Sequence, residues 1–492
     1  MSDFSDLTVG LSGLEAQQMG MDTVGQNVAN ADTPGYVDEQ VELAAVGSVQ
    51  HQGFDQAASA LPGDGVEITG VDRLSNSYLQ QRSYSEQASQ GMLTAQQSGL
   101  QAIQQNFPEP SSNGISSQLT KFWQDWSTLA NNPSDGPTRA MLVQDAGTLT
   151  SSLNQTSTAL GALSQQTTQE ISATLAQVNQ DASQIAALNQ SILAAGTSGN
   201  GSTNEMEDQR DQIVSQLSNQ IGVSVSYNQN GTINVYSGSE PLVSAGNYQQ
   251  LSLSQSGPPF SLVWSADDST YQPGSGALAG MLDVVNQYVP QYQQGLDQVA
   301  QSLMGSVNYL MSTGYDLDNQ PGGAFFLGSG AADIEVNPAL AADPSLVAAA
   351  SSPTTPGSSA TNEDGTIAAE MGELPNSETA TLAEPAGGWA GGTSAPAWSS
   401  AGATTATGPE ADVAYNELVS GIGQTTSSVN NSLTNQQAVT TNVNSALQSA
   451  TGVNTDEELT KMVQYQNAYD ASAKYISTVD SILQSLISMV QG

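Results

Sequence analysis

The chain has no cysteine, one histidine (His51) and only seven lysines and arginines in 492 residues. Without cysteine there are no disulfides, no thiol catalysis and no thiolate metal site. Three lysines and four arginines leave little from which to build a positioned nucleophile or acid–base pair. No Walker A, Rossmann glycine, GxSxG or HExxH motif occurs either, so the sequence predicts no enzyme, no cofactor and no metal. His51, in a Gln/Gly-rich stretch, reads as solvated. Seven scattered cations cannot make the basic footprint that phosphates or anionic lipid require, which excludes nucleic acid and membrane as partners. No run of 18 apolar residues is present, and Met1-Ser2-Asp3-Phe4 opens neither a basic n-region nor an apolar h-region. The expectation is a soluble chain that, if exported, leaves without a cleaved signal peptide.

Acids number 47 and the formal net charge is −40, yet charged residues are only 11% of the chain. The anomaly is therefore missing bases. Below pH ~4 most carboxylates protonate, and high salt screens them, so the composition reads either as a fit to acid or salt or as drift in a protein with few charges. Aromatics are 5%, while Gln, Ser, Ala, Asn and Thr abound, which suits long polar-faced helices in an elongated molecule of about three domains.

At the start, Phe4, Leu7, Leu11, Leu14, Met21 and Val28 fall at spacings of three and four, with Gln18 and Gly25 filling the register. At the other end the same arithmetic runs through Met462, Tyr465, Tyr469, Ser472, Ile476, Val479, Leu483, Leu486 and Val490. A stripe this narrow needs a helical partner, and the two ends are obvious partners for each other. Glycines at 10, 13, 20 and 25 weaken the first helix taken alone.

Between the ends, periodicity predicts helices over 77–107, 115–129 and a very long one over 139–195, where Leu153, Leu160, Ile171, Leu175, Val178, Ile185 and Ile192 hold the register. The period then changes. Val223, Val225 and Tyr227 alternate, Asn230-Gly231 signals a hairpin, and Ile233, Val235 and Tyr236 continue beyond it. Helix returns over 277–311 and from about 412 to the end, broken near Thr451-Gly452. The fold class is thus mainly α with an inserted β domain. The domains are a terminal coiled-coil polymerisation domain (1–60 with 440–492), a helical bundle (61–220 with 277–350 and 411–439), a β domain (221–276) and a low-complexity loop or small insert with little core (351–410). The acids Glu205, Glu207, Asp208 and Asp211 beside Arg210 read as an ion-pair or capping arrangement, not a metal site.

Several stretches carry a family resemblance. Leu11-Ser12-Gly13-Leu14, Asn27-Val28 and Asn30-Ala31-Asp32-Thr33-Pro34-Gly35-Tyr36 resemble the signature of flagellar rod, hook and junction proteins. Gly452-Val453-Asn454-Thr455-Asp456-Glu457-Glu458, Tyr465-Gln466-Asn467-Ala468-Tyr469 and Ala471-Ser472-Ala473 resemble the C-terminal signature of the bacterial hook-associated protein 1 family. Asp208-Gln209-Arg210-Asp211-Gln212, Leu129-Ala130-Asn131-Asn132-Pro133 with Arg139, and Gly322-Gly323-Ala324-Phe325-Phe326 are similar to its interior. The resemblance implies a hook–filament junction subunit. Its terminal helices would form an inner coiled-coil tube, with a helical domain around it and the β domain outermost. It implies a homo-oligomer in contact with the hook protein and hook-associated protein 3, placed extracellularly by the flagellar type III export apparatus after escort by a chaperone on 462–490. The terminal helices depart from the family in their scarcity of Lys and Arg, so Gln, Asn, Ser or protonated acids must replace ion pairs. A hook or distal rod protein is the nearest competing reading, disfavoured by the long central helix. A secreted coiled-coil adhesin would explain the heptads but not the two signatures.

Overall fold

A computed structural model of the chain describes residues 2–46, 65–198, 203–254, 257–354, 363–376, 380–382, 406–408 and 411–491. His51, Trp389 and Trp398 lie outside these residues, as do the side chains of Phe4, Leu486 and Val490.

Helix α1 (Ser2–Asn30) is followed by an antiparallel pair, β1 (Glu39–Val46) and β2 (Gly65–Arg73), with a register shift between Glu42 and Leu43. The helices α2 (Ser77–Gln105), α3 (Ile115–Asn131), α4 (Gly136–Ser198) and α5 (Asn204–Ile221) come next. α4 has 63 residues, three more at each end than its apolar periodicity predicts, and is about 95 Å long.

The β domain is two small antiparallel meanders. β3 (Ser224–Tyr227), β4 (Ile233–Ser237), β5 (Glu240–Ser244) and β6 (Asn247–Tyr248) make one; β7 (Leu251–Leu253), β8 (Leu262–Trp264) and β9 (Thr270–Tyr271) make the other. Gly231, at φ +80°, turns the first hairpin as Asn230-Gly231 predicts, and Val225 stands opposite Val235. Helix resumes as α6 (Ala277–Asp283), a π-helical turn over Val284–Tyr288, and α7 (Val289–Thr313). A short pair, β10 (Phe326–Leu327) with β11 (Glu335–Val336), precedes α8 (Pro338–Ala342).

Within 351–410 a short helix docks on the body. Residues 363–376 contain α9 (Thr366–Gly372), whose Ile367, Ala368 and Met371 are buried against α3. Three apolar residues at i, i+1 and i+4 suffice to dock one helical turn, and the Gly/Ser/Thr-rich surroundings mask them in composition. β12 (Ala380–Leu382) and β13 (Ala406–Gly408) pair antiparallel, and α10 (Ala411–Thr451) and α11 (Thr455–Gln491) complete the chain.

Two hydrophobic clusters hold the body. The first joins Phe122 and Trp126 of α3 to Leu142 and Leu153 of α4, Leu303 of α7, Phe325, Met371 and Tyr415 of α10. The second joins Ile171, Val178 and Ile185 of α4 to Leu217 of α5, the inward strand residues Val235, Leu242 and Leu262, and Leu278 of α6. α4 therefore passes through both.

Helices and extended segments are joined by a repeated device. Asn179 bonds both the N–H and the C=O of Leu251, at 2.9 and 2.8 Å. Asn189 does the same to Ile233 (3.1 and 2.8 Å), Asn286 to Phe260 (2.7 and 2.8 Å) and Asn308 to Phe326 (2.9 and 2.8 Å). A carboxamide has the donor and acceptor of a peptide group, so each asparagine stands in for a neighbouring strand and satisfies buried backbone without a charge.

Candidate assembly site at the paired ends

α1 and α11 lie antiparallel. Gly10 sits beside Ile476, Gly13 beside Ser472 and Gly20 beside Tyr465. A Cβ on Gly10 would meet Ile476 Cγ1 at 2.6 Å and one on Gly20 would meet the Tyr465 ring at 2.6 Å. The glycines that weaken α1 on propensity grounds are the clearance that lets α11 approach.

On α11, Met462, Tyr465, Tyr469, Ser472, Ile476 and Leu483 are partly covered and Val479 is buried. The contact line on α1 runs through Gly10, Gly13, Ala16, Gly20, Val24 and Asn27, beside the stripe that large apolar residues mark in the sequence. Leu14, Met21 and Val28 are half-covered, whereas Leu7 and Leu11 face out. Reading only large side chains placed the stripe on the wrong edge of the contact, because small residues are where two helix backbones come closest.

Where α1 ends, Asn27 is fully buried and ties four segments together. Its Oδ1 accepts from the Glu39 N–H at 3.1 Å and from Tyr36 Oη at 2.9 Å. Its Nδ2 lies 2.6 Å from Asp38 Oδ1, 2.9 Å from the Glu39 carbonyl and 2.9 Å from Glu458 Oε2. It thus repeats the asparagine-to-strand device and adds the first turn of α11. Lys461 donates to Glu458 Oε1 at 2.6 Å and stands 3.6 Å from Asp38 Oδ2. Burial raises the Asp38 carboxyl, with Lys461 opposing, and burial followed by the Glu39, Asp208, Asp38 and Glu458 charges raises the Tyr36 phenol. Burial opposes the Lys461 charge, but Glu458 and Asp38 together hold its ammonium above the usual range.

The rest of the signature shapes the turn that feeds this hub. Thr33 N–H and Oγ1 bond the Asn30 carbonyl and Oδ1 at 2.8 and 3.2 Å, Pro34 follows, and Gly35 takes φ +85°. The N–H of Asp38 then reaches the Thr451 carbonyl at 2.9 Å, beside the α10–α11 break.

A second polar cluster adjoins the hub. Arg73, at the end of β2, contacts Glu207 at 3.2 Å and Asp211 at 3.1 Å, and also pairs with Asp208. Burial pushes Asp208 up to about 6 against the pull of Arg73, while the three acids, Asp211 foremost, outweigh the effect of burial and raise the Arg73 guanidinium. The sequence points to Arg210 as the partner of these acids. Arg210 instead donates to the Gly231 carbonyl at 2.7 Å and stands 3.7 Å from Asp211. Nothing local in sequence marks Arg73, more than 130 positions away. Among the described residues, no group of three or more His, Cys, Asp or Glu could hold a metal ion, and no helix is long and apolar enough to cross a membrane.

Residues 7–36 match the family described as Flagella basal body rod protein and residues 440–489 that described as Flagellar basal body rod FlgEFG protein C-terminal. Residues 100–326 match the Flagellar hook-associated protein FlgK helical domain. Flagellar hook-associated protein 1 of Salmonella typhimurium is 29% identical over 327 residues, covering 64% of this chain and 58% of that protein. The Escherichia coli protein of that name is 25% identical over 97% of this chain and 98% of its own, and the Bacillus subtilis one 24% identical over 99% and 98%. The fold is similar to that of the flagellar hook junction protein FlgK from Burkholderia pseudomallei, with a TM-score of 0.59, 19% identity, and coverage of 75% of this chain and 100% of that one. Over nearly its whole length the chain is similar to members of the flagellar hook-associated protein 1 family, a family of structural flagellar components.

Proposed function

We propose that this chain is the structural subunit that joins hook to filament, polymerising through its paired end helices. The observation that carries this reading is an unfinished surface: α1 and α11 satisfy each other along one seam and leave Leu11, Val463 and Ile482 each more than half exposed. A helix pair with apolar side chains on its outer faces is completed by further helices, and copies of the same chain supply them.

In this reading 1–60 with 440–492 form the inner layer, 61–220 with 277–350 and 411–439 the middle layer, and 221–276 the outer domain. The stripes of Phe4, Leu7, Leu11, Leu14, Met21 and Val28 and of Met462 to Val490 serve assembly, and the latter also receives an export chaperone beforehand. The hook protein and hook-associated protein 3 are the neighbours on either side. The subunit works outside the cell, exported by the type III apparatus.

Deletion of the gene in its own organism, scored by electron microscopy and by flagellin in the medium, tests this. The expected result is intact hooks without filaments, with flagellin shed, rescued by the full chain but not by one truncated before Met462. Normal filaments in the deletion strain, with a second gene copy excluded, would overturn it.

A further inference from the structure

α1 and α11 pack closely on each other, and α1 packs on β1 and β2, but among the described residues the helices of the body meet this group only sparsely. Two chain connections cross between them: residues 74–76 and 452–454. Between the two groups lies an open cleft of about 550 Å³, lined by Thr33, Tyr36, Leu74, Tyr84, Asn444 and Thr451 among others.

The noncovalent bridge is concentrated at one corner. The Arg73 side chain is 10% exposed and carries contacts to Glu207, Asp208 and Asp211 across the first two turns of α5. Asn204, at the start of the same helix, donates to the Val71 carbonyl at 2.9 Å. Arg73 is also the first lysine or arginine of the chain. Without it, the β1–β2 pair would present no positive charge to the acidic face of α5.

We propose that Arg73 is a latch that fixes the angle between the paired end helices and the body, and that the pair pivots on its two chain connections when the latch is opened. One guanidinium meets three carboxylates of α5, so its removal abolishes the attraction across this corner and leaves those acids uncompensated. The latch would let a single subunit present its end helices at more than one tilt while both of its packed parts stay intact. This concerns motion within one chain and holds whether or not the junction reading does.

The cysteine-free sequence makes the test direct. Spin labels on Ser85→Cys of α2 and Gln466→Cys of α11, both exposed, report the distance across the cleft in pulsed electron paramagnetic resonance. The expected result is a narrow distribution with Arg73 present and one at least twice as wide in Arg73→Gln. The swap of Arg73→Glu with Asp211→Arg should restore the narrow form. If Arg73→Gln loses helical content, the triple variant Glu207→Gln, Asp208→Asn and Asp211→Asn, which removes the same contacts from the α5 side, takes its place. Superimposable distributions in the folded variant and the parent would overturn the proposal, as would widening that the charge swap fails to reverse.

Discussion

The helical body and the paired ends are built on opposite principles. The body packs large side chains edge to face: Phe122 meets Phe325 at 5.8 Å and Trp126 meets it at 5.5 Å, with Leu119 and Leu142 fully buried around them. The ends pack backbone against side chain through Gly10, Gly13 and Gly20, and spend their polar bonds on one buried asparagine. A core of interlocking rings closes on itself, whereas a glycine seam brings two helices together and still leaves apolar surface outside. The lesson is that the body is finished as a monomer and the ends are not.

The sharpest break of that contrast comes from Trp126→Ala, which removes a large buried ring from a closed core and should cost about 3–5 kcal/mol of global stability by urea unfolding. A much smaller loss would mean that this core is looser than its packing implies. Next, Asn27→Ala leaves Asp38, Glu458 and the Glu39 backbone short of partners, at about 1–3 kcal/mol. That loss should appear in hydrogen exchange as faster opening of α1 and α11 alone; equal acceleration in α3 and α4 would erase the distinction between the regions.

A third expectation is pH-dependent and belongs to the body. Burial, then a side-chain hydrogen bond to Asp145 and the Asp145 charge, push Asp125 from 3.8 up to about 7, with Lys121 opposing. Between those values the folded chain keeps a proton that the unfolded chain has lost, so stability is highest below the unfolded value and falls as pH rises through the window. The slope is at most about 1.4 kcal/mol per pH unit. Asp125→Asn should remove this component, so the stability difference between variant and parent should move in favour of the variant from pH 5 to pH 8. A constant difference would contradict the assignment. Smallest of all, Arg82→Gln deletes a partly exposed i,i+4 contact to Glu86 and should change stability by only about 0.3–0.5 kcal/mol.

Much of this was legible because periodicity survives where side chains are large. Leu153, Ile171 and Ile185 announce α4, Asn230-Gly231 announces its hairpin, and Met462 to Leu483 mark the inner face of α11. What escaped is what has no local period. Glycine scores as a defect in a helix until the partner that needs the space is known. Asn27 and Glu458 are 431 positions apart, and Arg73 is 138 from Asp211, so their meeting depends on the finished topology. The asparagines at 179, 189, 286 and 308 look like ordinary polar helix residues until the strands they complete are in place. They also show how a base-poor chain buries polar backbone: neutral amides take a part that ion pairs could have filled.

The passage of α4 through both hydrophobic clusters has a mechanical consequence. A pull applied near Gly136 and resisted near Ser198 runs along one unbroken hydrogen-bonded rod, loading the side-chain contacts of each cluster in shear instead of peeling them apart one at a time. The helix acts as a tie-beam, sharing strain between two cores that α2 and the α6–α7 run also reach.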